Sequence, residues 1–177
     1  MPTILTHPAV PLALGAVAGA DRIGGRLLAA GMIASVLPDA DVLGLRLGIP
    51  YGSEFGHRGF THSLCFALLL ALAAAAAARY LRAPRGTAAA FVGLSSASHG
   101  FLDMLTNGGK GVAYFWPFTA ERFFLPARVI EVSPLSAHRF FGSEGMAVLA
   151  SELRWVWLPV GVIAGLALLI RHGRAAY

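Results

Sequence analysis

Two long apolar runs, each followed at once by arginines, constrain this chain more than any other feature. The first run covers residues 63–78 and precedes the arginines of residues 79–85. The second covers residues 155–170 and precedes those of residues 171–174. A bilayer core requires about 20 apolar residues per helix, and flanking arginine and aromatic side chains extend the reach of a slightly shorter run. We therefore predict that both runs are transmembrane helices.

Composition supports a membrane protein and argues against the other broad classes. Of 177 residues, 56% are hydrophobic and 13% are charged, whereas a soluble domain has about 25% charged residues. The net charge of +5 suggests nucleic acid as a partner, but the arginines lie in short clusters between apolar stretches, as membrane-flanking charges do. We expect one domain over residues 1–177, with the lipid bilayer and not nucleic acid as its partner.

The remaining apolar segments predict further helices of an all-α bundle. Residues 87–105 are apolar first and polar later, as in a helix that crosses the membrane and carries polar groups near its end. Residues 8–20 and 27–37 are each too short for a comfortable span and are expected to enter the membrane only partly. The predicted fold is a multi-pass bundle of four or five helices with a metal site at one end and two long irregular loops, residues 39–61 and 106–151.

Arginine positions also predict which polar residues meet. Positive charge favours the cytoplasmic side, which places residues 79–85 and 171–174 inside, together with Arg22 and Arg26. The helices between these clusters then carry their polar residues to the opposite, outer end. The acidic and histidine residues expected there are His7, Asp39, Asp41, His57, His62, His99 and Asp103.

The types and spacing of these residues favour a metal site. His99 and Asp103 are four positions apart, so on a helix they project from one face and can bind one ion. Imidazole and carboxylate ligands suit Zn²⁺ or another first-row divalent metal, and the absence of thiolate partners disfavours a structural zinc site. Several ionisable groups at one membrane face are by default a functional-site hypothesis.

Each residue taken alone has a simpler interpretation. Asp39 and Asp41 follow a proline and can end a helix in an Asx-turn, and Asp103 can bond a neighbouring backbone group. Arg58 can be a membrane-surface anchor instead of a phosphate clamp. Four histidines and three aspartates at one face favour the metal interpretation for the set as a whole.

The motifs LPDADVL, HRGFTHS, SHGFLDMLTNGG and YFWPF resemble those of the YdjM-type family, inner-membrane proteins described as metal-dependent hydrolases. The resemblance extends over roughly residues 7–118. The family is distantly similar to zinc-dependent phospholipase C and related zinc nucleases, in which a His-x-x-x-Asp pair joins an earlier Asp and His around zinc. It implies one or two ions, most simply Zn²⁺. The ligands that it implies are Asp39 or Asp41, His57 or His62, His99 and Asp103, with His7 for a further ion.

These inferences together predict a membrane-bound, metal-dependent hydrolase, phosphoesterase-like or phospholipase-like, in the inner membrane with its site on the periplasmic face. The ion would acidify a water molecule, and Asp39 or Asp41 would accept its proton. Arg58 and Lys110 would hold an anionic group such as a phosphate, so a lipid or lipid-linked phosphoester is the expected substrate. The alternative is a non-enzymatic metal-binding or ion-transporting membrane protein, although a transporter would place its charges near the midplane. The oligomeric state is not indicated.

Overall fold

Helices make up most of the computed structural model, which describes residues 1–134 and 137–175. Within that part of the chain, extended pairing is limited to two isolated bridges in the stretch from 106 to 130. The predicted all-α class is therefore confirmed. The two predicted loops, 39–61 and 106–151, are not wholly irregular, because helices occupy Val42–Arg46, Ala137–Phe140 and Ser143–Glu152. The predicted loop 106–151 includes residues 135–136, and the predicted domain 1–177 also includes residues 176–177, all of which lie outside the described residues. The helices are α1 Ala9–Ala18, α2 Gly25–Val36, α3 Val42–Arg46, α4 Leu64–Ala76, α5 Ala78–Leu81, α6 Arg85–Met104, α7 Ala137–Phe140, α8 Ser143–Glu152 and α9 Leu158–Ala175.

The ends of the central helices follow from local sequence. Ser63 precedes α4, and its hydroxyl accepts a hydrogen bond from the backbone N–H of Phe66 at 3.1 Å, which satisfies one of the free donors of the first turn. Pro84 precedes α6 and lacks the N–H that a helix start would leave unpaired. The α6 helix, Arg85–Met104, agrees closely with the predicted helix 87–105.

Helix α6 packs between α2 and α4 and forms the centre of the bundle. Gly31 of α2 lies directly against the ring of Phe91 on α6, and a Cβ at Gly31 would come within 2.3 Å of that ring. Glycine therefore sets how closely the two helices approach. The buried apolar core between them consists of Ile23, Leu27, Ala34, Ala74, Ala78, Ala88, Phe91 and Val92.

Among the described residues, two helical stretches are long and apolar enough to cross a membrane, whereas α4, within the predicted span 63–78, is a shorter apolar helix of 13 residues. Ser143–Arg171 is 29 residues long, contains the predicted span 155–170 and reaches a mean hydropathy of 2.0 over 18 residues. Gly25–Arg46 is 22 residues long and reaches a mean hydropathy of 1.5 over 18 residues. At 22 residues, Gly25–Arg46 is longer than the segment 27–37 that we expected to be too short to span the membrane. Pro38 does not end the helix, because it occupies the first turn of a 3-10 segment, Leu37–Asp41, that joins α2 to α3.

The outer surfaces of the bundle are apolar. Leu68 and Leu72 on α4 and Leu166 and Leu169 on α9 are all exposed. A soluble protein of this size rarely exposes so continuous an apolar surface. These helix faces suit contact with lipid. The buried polar groups lie inside the bundle, at one end of α6.

Candidate metal centre

Helix α6 contributes two fully buried polar side chains, His99 and Asp103, spaced so that both face the same neighbours. The Nδ1–H of His99 donates to the carbonyl oxygen of Ser35 at 2.8 Å. Since a carbonyl can only accept, this bond places the proton on Nδ1 and leaves Nε2 as a lone pair. The free Nε2 lies 3.4 Å from Oδ1 of Asp39.

His62 reaches the same point from a short 3-10 turn, Phe60–His62, that precedes α4. This turn lies against α6 at Gly100, where a Cβ would come within 2.5 Å of the His62 carbonyl oxygen. The glycine thus permits the approach that brings the imidazole to the helix. Its Nε2 lies 3.5 Å from Oδ1 of Asp39 and 3.4 Å from Oδ2 of Asp103.

Asp39, His62, His99 and Asp103 form a buried group whose facing atoms all lie within 4.8 Å of one another. Among the described residues, none of the atoms Asp39 Oδ1, His62 Nε2, His99 Nε2 and Asp103 Oδ2 has a hydrogen-bond partner. Buried polar atoms are normally paired. Ligands held about 2.1 Å from a tetrahedral ion are about 3.4 Å apart. Asp39 Oδ1 lies 3.4 Å from His99 Nε2 and 3.5 Å from His62 Nε2, and His62 Nε2 lies 3.4 Å from Asp103 Oδ2. This group can therefore bind a metal ion.

A second set, Asp41, His57 and His62, differs because its atoms are already paired. His57 Nδ1 donates to Asp41 Oδ1 at 2.6 Å, and Asp41 Oδ2 accepts from the Thr61 hydroxyl at 2.6 Å and from the Arg58 N–H at 3.2 Å. The Nδ1 of His62 also lies 3.2 Å from Asp41 Oδ2. Asp41 therefore supports His62 from behind, an arrangement common around metal-bound histidines.

The electrostatic state of His62 follows from these carboxylates. Burial alone would lower its pKa, but the neighbouring carboxylates of Asp103, Asp39 and Asp41 outweigh burial and raise the pKa to about 10. A positive charge at this position is therefore strongly favoured. A bound cation would satisfy the same carboxylates in place of the proton.

His7 lies beside the group, stacked on His99 with ring centroids 3.7 Å apart. Burial lowers the pKa of His7 to about 3, and His99 lowers it further against the opposing effect of Asp103 and Asp39. The ring is thus held neutral and able to donate a lone pair. Its Nε2 lies 3.7 Å from Asp39 Oδ2 and 4.0 Å from Asp103 Oδ1.

Arg58 is fully buried and pairs with the cluster instead of facing solvent. Its Nε lies 3.1 Å from Asp103 Oδ2, and its two terminal nitrogens donate to the Gly108 carbonyl at 3.0 Å and to the Thr106 hydroxyl at 3.1 Å. Its backbone has a φ of +63°, which is uncommon outside glycine. The guanidinium neutralises Asp103 and ties the loop after α6 to the site.

Other candidate residues lie farther out. Lys110 is exposed, and its Nζ lies 5.7 Å from the ring centroid of Tyr51. Trp116, in the YFWPF segment, donates from Nε1 to Glu54 at 3.2 Å on an exposed loop. The seven predicted acidic and histidine residues and Arg58 lie close together at one end of the bundle, whereas Lys110 lies at the surface.

Sequence analysis missed a buried carboxylate, Glu152, that anchors the N-terminal segment. It accepts hydrogen bonds from the Thr3 backbone N–H, from the Thr3 hydroxyl at 2.7 Å and from the Thr6 hydroxyl at 2.7 Å. Trp157 donates from Nε1 to Thr6 Oγ1 at 3.0 Å. This contact holds in place the segment that carries His7. No local pattern links residues so far apart in the chain.

Comparison with known proteins agrees with this architecture. The family model described as "YdjM inner membrane protein" matches residues 1–175. Inner membrane protein YbcI of Escherichia coli K12 is 47% identical over 167 residues, which cover 94% of this chain and 96% of YbcI. Inner membrane protein YdjM of the same organism is 40% identical over 140 residues, or 72% of this chain and 64% of YdjM. No solved structure matches. On this evidence the chain belongs to the YdjM family of inner membrane proteins.

Proposed function

We propose that this protein is a multi-pass inner-membrane hydrolase that uses a bound divalent metal to cleave a phosphoester, with the site on the periplasmic face. The observation that supports it is the meeting of four buried ligand atoms, from Asp39, His62, His99 and Asp103, none of which makes a hydrogen bond among the described residues. Such a group is costly to bury without a function, since each unpaired polar atom loses its hydration.

The charge of the surroundings favours a divalent ion. Three carboxylates, those of Asp39, Asp41 and Asp103, and the guanidinium of Arg58 are buried around the imidazoles, and a bound ion would take the place of the proton on His62. The unbalanced negative charge is of the size that one divalent cation would neutralise. Nitrogen and oxygen ligands together suit Zn²⁺ or another first-row metal. We assign Asp39, His62, His99 and Asp103 as ligands of one ion and His7 as the residue that would serve a second.

An ion held by these residues would supply Lewis acidity to a water molecule that joins the protein ligands, since zinc can expand to five ligands, and would polarise the bond to be cleaved. The protein supplies orientation and proton transfer. Ser35 and Asp41 fix the proton of His99 and of His62 on Nδ1, so that both Nε2 atoms face the site. Arg58 holds the carboxylate of Asp103 in position.

We assign the general base to Asp39 and not to Asp41. Both oxygens of Asp41 already accept hydrogen bonds, from His57 Nδ1 and from the Thr61 hydroxyl, so they are poorly available for a further proton. Oδ2 of Asp39 has no hydrogen-bond partner among the described residues. Oδ2 of Asp39 is therefore freer than either oxygen of Asp41 to accept a proton from water.

Hydrolysis of phosphoesters by purified protein in detergent tests this proposal. We expect release of phosphate or alcohol from a phosphoester panel that includes phospholipids after loading with Zn²⁺, and loss of at least about 100-fold in rate in His99→Ala. His138→Ala, on an exposed helix away from the site, is the matched control and should retain activity. If the wild type holds metal but cleaves no member of the panel, the protein is a metal-binding or ion-transporting protein and the hydrolase proposal is wrong.

A further inference from the structure

An apolar groove leads along α2 to the candidate metal centre. It has a volume of about 530 Å³, and its walls include Ile4 from the N-terminal segment and Met32, Ile33 and Val36 from α2. Asp39 belongs to the same lining and is its charged member, with both carboxylate oxygens buried behind it. The groove therefore ends beside one residue of the metal group.

The position of the groove in the chain gives it access to lipid. The groove runs from Met32 on α2 to Ala40 in the 3-10 segment, about 12 Å at 1.5 Å per residue. It lies within the stretch Gly25–Arg46 that is long and apolar enough to cross a membrane. Ile33 is 65% exposed on its rim, and Ile4 is also exposed. An apolar surface of this kind on a membrane-crossing helix faces acyl chains and not water.

The site is closed in this structure. His62, His99 and Asp103 are each 2% exposed or less, whereas Asp39, at 8%, lines the groove although its carboxylate oxygens are buried. A reacting group that comes to the metal position past Asp39 therefore passes apolar walls. A small hydrophilic phosphoester gains nothing from such walls, whereas a lipid chain that leaves the bilayer for the groove stays in apolar surroundings.

We propose that this groove binds one acyl or polyprenyl chain of a membrane lipid that enters sideways from the bilayer, with its phosphate at Asp39. The inference rests on the proposed hydrolase function. It adds the substrate class, a membrane lipid that carries a phosphoester, and the residues that bind its chain. Ile4, Ile33 and Val36 then contact the chain, while the cluster at Asp39 faces the phosphoester.

Photo-crosslinking tests the groove without relying on turnover. The wild-type protein is placed in nanodiscs of phosphatidylethanolamine and phosphatidylglycerol, with a small share of phosphatidylglycerol that carries a diazirine near the end of one acyl chain. After illumination, cross-linked peptides are mapped by mass spectrometry. Peptides of α9, whose Ile163 is 58% exposed, report ordinary contact with bulk lipid.

We expect labelling around Met32, Ile33 and Val36 to exceed labelling of α9 and to fall when unlabelled phosphatidylglycerol is added in excess. In Ile33→Trp the larger side chain narrows the groove, so labelling there should fall about tenfold relative to α9. Ile163→Trp, a matched change at an equally apolar exposed position, should leave the groove labelling unchanged.

Equal labelling of α2 and α9 that Ile33→Trp does not alter would overturn the proposal that the groove binds a lipid chain. A groove that stays unlabelled because a second copy covers it would overturn this proposal as well. The results also distinguish this proposal from the proposed hydrolase function. Groove labelling without hydrolysis of any phosphoester contradicts the hydrolase, whereas hydrolysis of soluble phosphoesters without groove labelling contradicts the acyl-chain site.

Discussion

The choice of imidazole nitrogen decides whether this cluster can bind a cation. His62 and His99 both direct Nδ1 towards an acceptor, Asp41 and the Ser35 carbonyl, and both direct Nε2 towards Asp39. A histidine that served only the packing would be expected to pair both nitrogens. The arrangement therefore presents two lone pairs to one point, as metal-bound histidines do when the other nitrogen is fixed by a hydrogen bond.

The different positions of Asp39 and Asp41 predict different effects of the same substitution. Asp39→Asn should abolish metal binding, because it removes a ligand charge from the unpaired group. Asp41→Asn should keep the ion but lower its affinity by about 10–100-fold, since only the support of His62 is weakened. Competition with a chelator measures both affinities. If Asp41→Asn loses the ion and Asp39→Asn retains it, the two roles are reversed.

Sequence alone left Asp39 and Asp41 as alternatives for a physical reason. In a 3-10 turn, with about three residues per turn, side chains two positions apart point in directions about 120° apart. One of them had to face the cluster and the other had to face away, but the direction of the turn is set by packing against α6. The same holds for His57 and His62, of which only His62 extends to the four-residue group.

At the scale of elements, prediction succeeded where a helix has a periodic pattern and a clear start. Residues 87–105 were predicted as a helix, and α6 spans Arg85–Met104 after Pro84. Residues 27–37 were predicted as a short segment, and α2 is Gly25–Val36, but the 3-10 segment Leu37–Asp41 continues it into α3. Glu152 ends α8 and contacts residues near the start of the chain, and hydrophobic periodicity does not report such a distant contact.

Glu152→Gln tests how the N-terminal segment is held. An amide can replace one acceptor oxygen but turns a donor towards Thr3 or Thr6, so we expect residues 1–8 to loosen. Amide hydrogen exchange of this segment should accelerate by at least about tenfold, while exchange in the centre of α6 stays unchanged.

Glu144→Gln is the matched control, since Glu144 is exposed and pairs with Arg139 at 2.7 Å on the surface. It should leave exchange of residues 1–8 at the wild-type rate. Unaltered exchange in Glu152→Gln would mean that the buried carboxylate does not hold the segment that carries His7.

For the whole molecule, the arginine clusters predict that the loop before α6 faces the cytoplasm and the loop after it faces the periplasm. Arg85→Cys and Lys110→Cys, each in a Cys65→Ala background, test this with an impermeant maleimide. Both positions are exposed. Lys110 is preferable to Gly109, where φ is +88° and a Cβ would lie 2.7 Å from Arg58.

We expect the cysteine at position 110 to react in cells with a permeabilised outer membrane, and the cysteine at position 85 to react only after the inner membrane is opened. Labelling in the opposite order would reverse the orientation and place the metal centre on the cytoplasmic face. Such a reversal would leave the metal group itself intact, because its geometry does not depend on the direction of insertion.

Metal content is the most direct test of the central claim that Asp39, His62, His99 and Asp103 bind one ion. We purify four proteins in detergent: wild type, His99→Ala, Asp103→Ala and the surface control His138→Ala. Each is loaded with Zn²⁺ and freed of excess metal, and its zinc content per chain is measured by elemental mass spectrometry. We expect about one tightly held ion per chain in the wild type and in the control, and less than about a tenth of that in both site variants, because a site that loses one ligand no longer holds its ion. Full zinc content in His99→Ala and Asp103→Ala would contradict the account.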